Sequence, residues 1–285
     1  MASAGHPRRA TTLADTEVEP TRATLRGRQV GPLGCSAADS RTFGSGLGWG
    51  TVSTNSEANE YRQHRFSAPV GATDMLLVRH GESAPARLDA PAPAVDGQAN
   101  PDLDVRGLEE AQRVASRLES EEVSAIYVTN LRRTAQTAAP LAAHLGIEPR
   151  VEPDLREVHL GEWEGAEFRI RVIKRDPLAM RMFDEQRWDM IPGAENQDAL
   201  LKRVHQGIER IAAAHPDQRV AVFTHGGVIA MVIHLATSCT PFAFMGADNG
   251  SITHLVVTPE RWIVRRFNDT GHLGTDLDRP PQPLV

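Results

Sequence analysis

Short apolar runs alternate with amphipathic helical patterns along the chain from residue 71 onward. Each run is shorter than an ordinary helix and lies between polar or turn residues, which predicts a strand. Five runs are predicted to be strands: residues 75–78, 125–128, 220–223, 252–257 and 262–267. The first three are apolar at nearly every position, which is typical of strands buried on both faces. Strands that alternate with helices predict an α/β fold, a three-layer α/β/α sandwich with a mostly parallel central sheet.

Three helices are predicted between these strands. Asp104 is a suitable N-cap for the first helix, and the spacing predicts one face for the apolar residues Leu108, Ala111, Ala115 and Leu118. The second helix is expected over about residues 131–145, and the third has its apolar face within residues 200–211. Residues 84–101 predict an Ala- and Pro-rich loop, whereas residues 166–195 show an irregular pattern without strand signals.

The two ends of the chain differ from its centre in composition and in hydrophobic pattern. Residues 1–70 contain few large apolar residues and much Gly, Ser, Thr, Ala and Arg, so we predict a poorly ordered tail. There are three interpretations of this tail: a linker, a transit peptide, or a segment that is not translated because translation starts near Val70 or Met75. Residues 71–268 are predicted to form one globular domain, and residues 269–285 a C-terminal tail.

Composition restricts the classes of partner and compartment. The 285 residues are 40% hydrophobic and 24% charged, which is typical of a soluble globular protein. The net charge of −6 divides into +2 for residues 1–70 and −8 for the rest, and an acidic body argues against nucleic acid as a partner. No apolar stretch is typical of a signal peptide or membrane span. Cys35 and Cys239 form no disulfide framework, so a reducing, cytoplasmic location is expected.

Two of the predicted strands end in a histidine followed by glycine. Arg79, His80 and Gly81 follow the first apolar run, and His225 follows the third. Ligands of open α/β sheets bind beyond the carboxyl ends of the strands, so neighbouring strands would direct both imidazoles into one crevice. Gly81 is expected to allow a sharp turn or a close approach to a ligand. The alternative is a pair of strands that end in ordinary surface polar residues.

The residue types at these ends suit phosphoryl chemistry. Arg132 and Arg133 lie in the first turn of the second helix, where cations oppose the helix dipole unless an anion binds beside them. A solvated arginine pair is the alternative. Guanidinium forks hold phosphoryl oxygens, and a neutral imidazole nitrogen can attack phosphorus. A carboxylic acid, for which residues 151–165 supply several candidates, can protonate the leaving group.

Four segments, in order along the chain, resemble the signature motifs of the histidine phosphatase superfamily, which has the phosphoglycerate mutase-like fold. They are residues 77–83 (Leu-Val-Arg-His-Gly-Glu-Ser), 130–138 (Asn-Leu-Arg-Arg-Thr-Ala-Gln-Thr-Ala), 155–165 (Leu-Arg-Glu-Val-His-Leu-Gly-Glu-Trp-Glu-Gly) and 224–227 (Thr-His-Gly-Gly). The resemblance implies five catalytic residues: His80 as the nucleophile, Glu157 as the proton donor, and Arg79, Arg133 and His225 around the phosphoryl group.

The resemblance carries further expectations about the site. Gly226 and Arg87 are expected to contact the substrate, and Glu162 and Glu164 are the competitors of Glu157 as proton donor. The family needs no metal, and no cofactor is expected. Many members carry an asparagine six positions after the nucleophile, where this chain has Ala86. The missing contact would be supplied by Arg87 or by the loop of residues 84–101, or lost.

The same resemblance favours the phosphatase branch over the mutases. Mutases usually follow the nucleophile motif with a Trp-Asn pair, where this chain has Pro85 and Ala86. The acid loop of this chain, residues 155–165, ends in Glu-Trp-Glu-Gly, which resembles the phosphatase branch. We therefore expect a histidine acid phosphatase-like hydrolase of phosphomonoesters that forms a phosphohistidine at His80. A cofactor-dependent phosphoglycerate mutase-type phosphotransferase and a non-catalytic binder of phosphorylated ligands are the alternatives. The expected partner is a small phosphorylated metabolite, and a homodimer is one expectation for the assembly.

Residues 166–195 are the expected source of specificity. They begin with the basic residues Arg169, Arg171, Lys174 and Arg175 against a single acid, Glu167, before Asp176. One hypothesis is a cap over the crevice that receives an anionic or sugar-like leaving group, for which Arg171 and Lys174 are the residues to test. An ordinary solvated helix with an apolar core face is the alternative.

Overall fold

The structure is a computed structural model that describes residues 63–87 and 89–274. The tail predicted for residues 1–70 therefore lies almost entirely outside the described residues, as do Cys35 and residues 275–285. The domain boundaries predicted from the sequence remain predictions. Ordered structure nevertheless continues past residue 268, because Leu273 is only 6% exposed and packs against the body of the protein.

A six-stranded sheet forms the centre of the fold. The strands are β1 (Thr73–Arg79), β4 (Val123–Val128), β5 (Arg150–Val151), β6 (Arg219–Thr224), β7 (Ile252–Val257) and β8 (Trp262–Asp269), with the hairpin of β2 (Ala94–Val95) and β3 (Gln98–Ala99) separate from them. The sheet order is β5-β4-β6-β1-β7-β8. The first four strands are parallel, and β7 and β8 are antiparallel. The mostly parallel sheet predicted from the sequence is therefore confirmed.

Helices cover both faces of the sheet. They are α1 (Val105–Leu118), α2 (Arg132–Leu145), α3 (Ala166–Ile173), α4 (Pro177–Glu185), α5 (Gln197–Ala214) and α6 (Gly226–Thr237). Alternate residues of β1 enter opposite cores: Leu76 and Val78 pack with α1 and α2, whereas Met75 and Leu77 pack with the other helices. This is the predicted three-layer sandwich. Within the described part of the chain, no helix is both long enough and apolar enough to cross a membrane.

Residues 166–195, predicted to be irregular, are largely helical. The side chain of Asp176 accepts a hydrogen bond from the Leu178 backbone N–H, and Pro177 occupies the first helical position of α4. This pair is a helix-start signal that the irregular apolar pattern concealed. Met182 and Trp188 are buried in the core, so tertiary packing stabilises helices whose periodicity is weak.

Two smaller expectations were wrong in part. The predicted loop of residues 84–101 contains the β2–β3 hairpin. On α1, Leu108 is 51% exposed, whereas Glu110 is buried and accepts a hydrogen bond from the backbone N–H of Glu82. The inward face of α1 therefore includes a carboxylate that apolar periodicity alone does not identify.

Gly81 is required for packing rather than for a turn. Its φ is not positive, and a Cβ on Gly81 would lie 2.5 Å from the carbonyl oxygen of Gly107 in the first turn of α1. Likewise, a Cβ on Gly107 would overlap the carbonyl oxygen of Glu82. The two glycines let the segment after β1 lie directly on the backbone of α1. The sharp turn expected at Gly81 is not found, and glycine is needed there because of this backbone–backbone contact.

Substitution of Gly107 tests this contact. In a helix, Gly→Ala is ordinarily stabilising by about 1 kcal/mol. Here the new methyl group would displace a backbone carbonyl, so we expect Gly107→Ala to lower the free energy of unfolding by about 2 kcal/mol net. Urea unfolding followed by circular dichroism measures the change. Gly271→Ala, whose added Cβ would meet its nearest atom at 3.4 Å, is the matched control and should change stability by less than about 0.5 kcal/mol. A neutral or stabilising Gly107→Ala would contradict the interpretation.

Candidate active site

The carboxyl ends of β1 and β6 bring two histidines together. The parallel register pairs Arg79 with Thr224, so His80 and His225 are the next residue on each strand. The His80 backbone N–H donates to the Thr224 carbonyl over 3.0 Å, which extends the pairing by one step. The centroids of the two imidazole rings lie 5.2 Å apart in an edge-to-face arrangement. The expected meeting of the two imidazoles is therefore found.

Arg133 reaches His80 from the first turn of α2. Its Nε donates to Nε2 of His80 over 3.1 Å, and its Nη1 donates to the Ala99 carbonyl over 3.1 Å. Arg132 points elsewhere, since its guanidinium is 3.4 Å from the carboxylate of Asp102. Of the arginine pair, only Arg133 is buried against the imidazoles, so the alternative of a solvated pair applies to Arg132 alone.

Arg79 supplies the second guanidinium. Its Nη1 donates to the carbonyl of Ala247. Its Nε is buried and has no hydrogen-bond partner among residues 63–87 and 89–274. Nδ1 of His225 is likewise buried and unpartnered within that part of the chain. Buried polar atoms ordinarily find partners, so two such atoms at one site indicate a place built for an anionic or polar ligand.

The hydrogen bonds of His80 determine which ring nitrogen is unprotonated. Nδ1 lies 2.8 Å from the carbonyl oxygen of Gly81, and because a carbonyl only accepts, Nδ1 carries the proton. Nε2 therefore holds the lone pair and faces the Nε–H of Arg133. Asn249 fixes the main chain at this point, since its Nδ2 donates to the His80 carbonyl over 2.8 Å.

Glu157 lies at the N-terminus of α6. Its carboxylate accepts hydrogen bonds from the backbone N–H of Gly227 at 3.2 Å and of Val158 at 3.0 Å. A Cβ on Gly227 would lie 2.6 Å from Oε1 of Glu157, so glycine at this position permits the close approach.

The two competing acids are placed differently. Glu162 is exposed and does not line the cavity that contains His80. Glu164 does line it, but its two carboxylate oxygens accept hydrogen bonds from the backbone N–H groups of Ala99 and Leu160. Glu164 therefore holds the β2–β3 hairpin against the acid loop.

Asn249 and three further positioning residues were missed at the sequence level. Arg203 on α5 donates to the carbonyls of Asp154, Arg156 and Glu157 and pairs with Glu195, which fixes the loop that carries Glu157. The side-chain amide of Gln98 donates to the carbonyls of Glu157 and Val158. Thr129 contacts Nε2 of His225 through its hydroxyl at 3.0 Å. Only Thr129 carried a signal, because it directly follows a buried parallel strand.

Burial and positive charge keep the imidazoles neutral. Burial, followed by the charges of Arg133 and Arg79, holds the pKa of His80 well below its usual range. Burial also lowers the pKa of His225 well below that range, with Arg133, His80 and Arg79 adding to the effect. Burial lowers the pKa of Arg133 only to about 10, so its guanidinium stays charged at neutral pH. The site combines neutral nitrogen bases with fixed positive charge.

A cavity of about 690 Å³ opens over these groups. Most of the predicted site residues line it: Arg79, His80, Arg133, Glu157, Gly226 and Arg87. His225 adjoins it through its ring contact with His80. Ala86 also lines it, whereas the exposed guanidinium of Arg87 is engaged by Asp89 at 2.9 Å. Among the residues that the structure describes, no group of three or more His, Cys, Asp or Glu side chains is arranged to hold a metal ion.

Known proteins match the chain over most of its length. The family model described as the histidine phosphatase superfamily (branch 1) matches residues 75–270. Phosphoglycerate mutase-like protein 4 of Arabidopsis thaliana is 32% identical, over 74% of this chain and 92% of its own. The metal-independent phosphoserine phosphatase of the same plant is also 32% identical, over 71% of this chain and 84% of its own.

Solved structures share the fold. A phosphoglycerate mutase from Bacillus anthracis superposes with a TM-score of 0.62 at 19% identity and covers 72% of this chain and 96% of its own. A mycobacterial glucosyl-3-phosphoglycerate phosphatase superposes with a TM-score of 0.58 at 24% identity, over 69% of this chain and 99% of its own. At these identities the likeness concerns the fold alone.

The lowered pKa values predict a pH dependence of stability. Below about pH 6.5 the two histidines take up protons in the unfolded chain but not in the buried site. The unfolded state then binds more protons, so the free energy of unfolding falls as pH falls, by up to about 1.4 kcal/mol per pH unit for each histidine. Urea unfolding at pH 7.5 and 5.5, in buffers without phosphate, measures the loss. His80→Asn should lose less stability over this interval than the wild type. Equal losses would contradict the assignment.

Proposed function

The chain belongs to the histidine phosphatase superfamily (branch 1), and from this membership we propose that it is a phosphatase that hydrolyses small phosphomonoesters through a phosphohistidine on His80. One observation carries the proposal. The unprotonated Nε2 of His80 faces the guanidinium of Arg133, in the cavity that Arg79 and Glu157 also line. A nucleophile, fixed positive charge and a carboxyl group thus converge where a phosphoryl group would lie.

The first step transfers the phosphoryl group to the protein. The Nε–H of Arg133 transfers its hydrogen bond from His80 Nε2 to a phosphoryl oxygen. The lone pair of His80 Nε2 then attacks phosphorus, and the bond between phosphorus and the ester oxygen breaks. Arg79 and Arg133 hold the phosphoryl oxygens, and the Nδ1–H of His225, which has no partner within residues 63–87 and 89–274, donates a hydrogen bond to one of them. Electrostatic stabilisation of this kind is usually the largest contribution to phosphoryl transfer. Glu157, as a carboxylic acid, gives its proton to the departing alkoxide.

The second step hydrolyses the intermediate. The carboxylate of Glu157 takes a proton from water while the water oxygen attacks phosphorus. The nitrogen–phosphorus bond breaks, its electron pair returns to Nε2 of His80, and inorganic phosphate leaves. Glu157 is then protonated again and His80 is neutral, so the site is ready for another ester.

Hydrolysis is favoured over isomerisation by two features. The acid loop has the Glu-Trp-Glu-Gly form, and Pro85 and Ala86 stand where mutases usually carry a Trp-Asn pair. One of the 32%-identical relatives is named as a phosphoserine phosphatase, although the other is named as mutase-like. A mutase activity would appear as exchange between 2- and 3-phosphoglycerate without net release of phosphate.

Trapping of the intermediate tests the nucleophile. We expect the wild type to release phosphate from a panel of phosphomonoesters and, after acid-free quenching, to carry phosphate that is stable to alkali and labile to acid. His80→Asn should release phosphate at least about 10³-fold more slowly and carry no protein-bound phosphate, because the amide of asparagine has no nucleophilic nitrogen. A wild type that binds phosphomonoesters without turnover would identify a binding protein. Full activity in His80→Asn would refute the assignment.

A comparison of leaving groups tests the proton donor. Glu157→Gln cannot protonate an alkoxide, so hydrolysis of an alkyl phosphate should slow by about 10²–10⁴-fold. Formation of the intermediate from p-nitrophenyl phosphate should slow much less, since nitrophenolate leaves without a proton. The initial burst of nitrophenol measures this step separately from hydrolysis of the intermediate. Glu162→Gln, at an exposed position outside the cavity, is the control and should leave both substrates unaffected. Equal slowing of the burst and of alkyl phosphate turnover in Glu157→Gln would remove it as the donor.

A further inference from the structure

Five arginines line the cavity, and they differ in what neutralises them. They are Arg79, Arg87, Arg106, Arg133 and Arg169. Arg79 and Arg133 belong to the phosphoryl site described above. Arg87 is paired with Asp89 at 2.9 Å. Arg106 lies 3.4 Å from the carboxylate of Glu82 and 3.5 Å from that of Glu110. These two side chains therefore already have carboxylate partners within the protein.

Arg169 is the exception. It lies on α3, is exposed, and its guanidinium makes no ion pair or hydrogen bond with any residue in the described ranges 63–87 and 89–274. Outside the phosphoryl site, Arg169 is the one cavity arginine without a carboxylate partner among the described residues, and it is therefore available to an anion. Nothing in the phosphoryl transfer described above uses it.

The other basic residues of this segment are not available. Arg171, which the sequence put forward as a cap residue, pairs with Glu167 at 2.7 Å and with Asp176 at 3.1 Å. Its guanidinium also lies over the ring of Trp163, 4.9 Å from the centroid. Lys174 and Arg175 follow the last turn of α3 and do not line the cavity. The hypothesis of a basic cap is thereby reduced from four residues to Arg169.

Arg169 is close enough to act on the same molecule as the phosphoryl site. Burial is the main cause that lowers the pKa of His80 and of Arg133, and the positive charge of Arg169 adds to both shifts. Burial and the same charge also lower the pKa of Arg79. The cavity of about 690 Å³ has room for a leaving group that extends beyond the phosphate.

We propose that Arg169 binds a carboxylate on the leaving group, so that the preferred substrates are phosphomonoesters of carboxylic acids. This inference rests on the proposed phosphatase function. One guanidinium matches one carboxylate in charge and in the planar geometry of its two hydrogen bonds. A second phosphoryl group would bring a greater negative charge to a single cation. Arg169 would thus determine specificity without contact with the reacting phosphorus.

Matched substrates test the proposal. 3-Phosphoglycerate differs from glycerol 3-phosphate in having a carboxylate where the latter has a hydroxymethyl group. O-Phosphoserine and O-phosphoethanolamine form a second pair, in which the latter has hydrogen in place of the carboxylate. For wild type we expect kcat/KM to be about tenfold higher with the carboxylate member of each pair, a ratio typical of one charge-assisted interaction.

Arg169→Gln should remove most of this preference. The carboxylate substrates should lose about tenfold in kcat/KM, mainly through a higher KM, because the contact is the same in the ground and transition states. Their partners without a carboxylate should change by less than about twofold, because the exposed charge of Arg169 is screened by solvent and makes no contact with the phosphoryl group. Arg169→Lys keeps the charge and should restore part of the preference. Lys174→Gln removes one charge from the same helix outside the cavity, and it should leave the preference intact.

Each outcome decides one point. If wild type shows no preference within either pair, or if Arg169→Gln slows both members equally, the carboxylate proposal is wrong while the phosphatase function stands. If Lys174→Gln has the same effect as Arg169→Gln, the preference comes from the summed positive charge around α3, and a specific contact with Arg169 is refuted. If purified wild type releases phosphate from no phosphomonoester, the proposed function itself fails, and the inference fails with it.

Discussion

The in-register parallel pairing of β1 with β6 is the constraint on which the site depends. The pairing of Arg79 with Thr224 makes His80 and His225 the next residues on neighbouring strands. A shift by one residue would exchange the two faces of a strand, and each face of β1 is buried in its own core. The same packing that stabilises the sheet therefore fixes the relative position of the imidazoles. The N-termini of α2 and α6 lie beside this edge of the sheet. The first carries Arg133, and the second holds the carboxylate of Glu157.

Burial gives the site its chemical character at a cost in electrostatic free energy. The side chains of Arg79 and Arg133 keep their charges close to two histidines that burial and this charge hold neutral. A neutral imidazole is a nucleophile, whereas its protonated form is not. A dianionic phosphoryl group would compensate the two guanidiniums, so the interactions that are unfavourable in the free protein become favourable when such a group binds. The site is preorganised for an anion rather than for stability.

Much of this arrangement follows from local patterns, and the remainder does not. Periodicity predicted β1 and β6, and the rule that ligands lie at the carboxyl ends of strands placed His80 and His225 together. Burial in the core, rather than periodicity, stabilises α3 and α4, so their helical character was missed. Arg203 and Gln98 act through backbone carbonyls of a loop far from them in sequence, and no local pattern marks such contacts. The reason for Gly81 was also invisible, because its partner Gly107 lies on another element.

The wall of the cavity is completed late in the chain. Thr270, Leu273 and Gly274, which follow the last strand, line it together with residues that begin at Arg79. A fragment that ends before Gly274 does not contain all of these groups, so a ribosome-bound chain lacks the full enclosure until the segment after its last strand has emerged. Recovered turnover after dilution from denaturant would consequently report completion of the whole domain, and not the docking of one substructure.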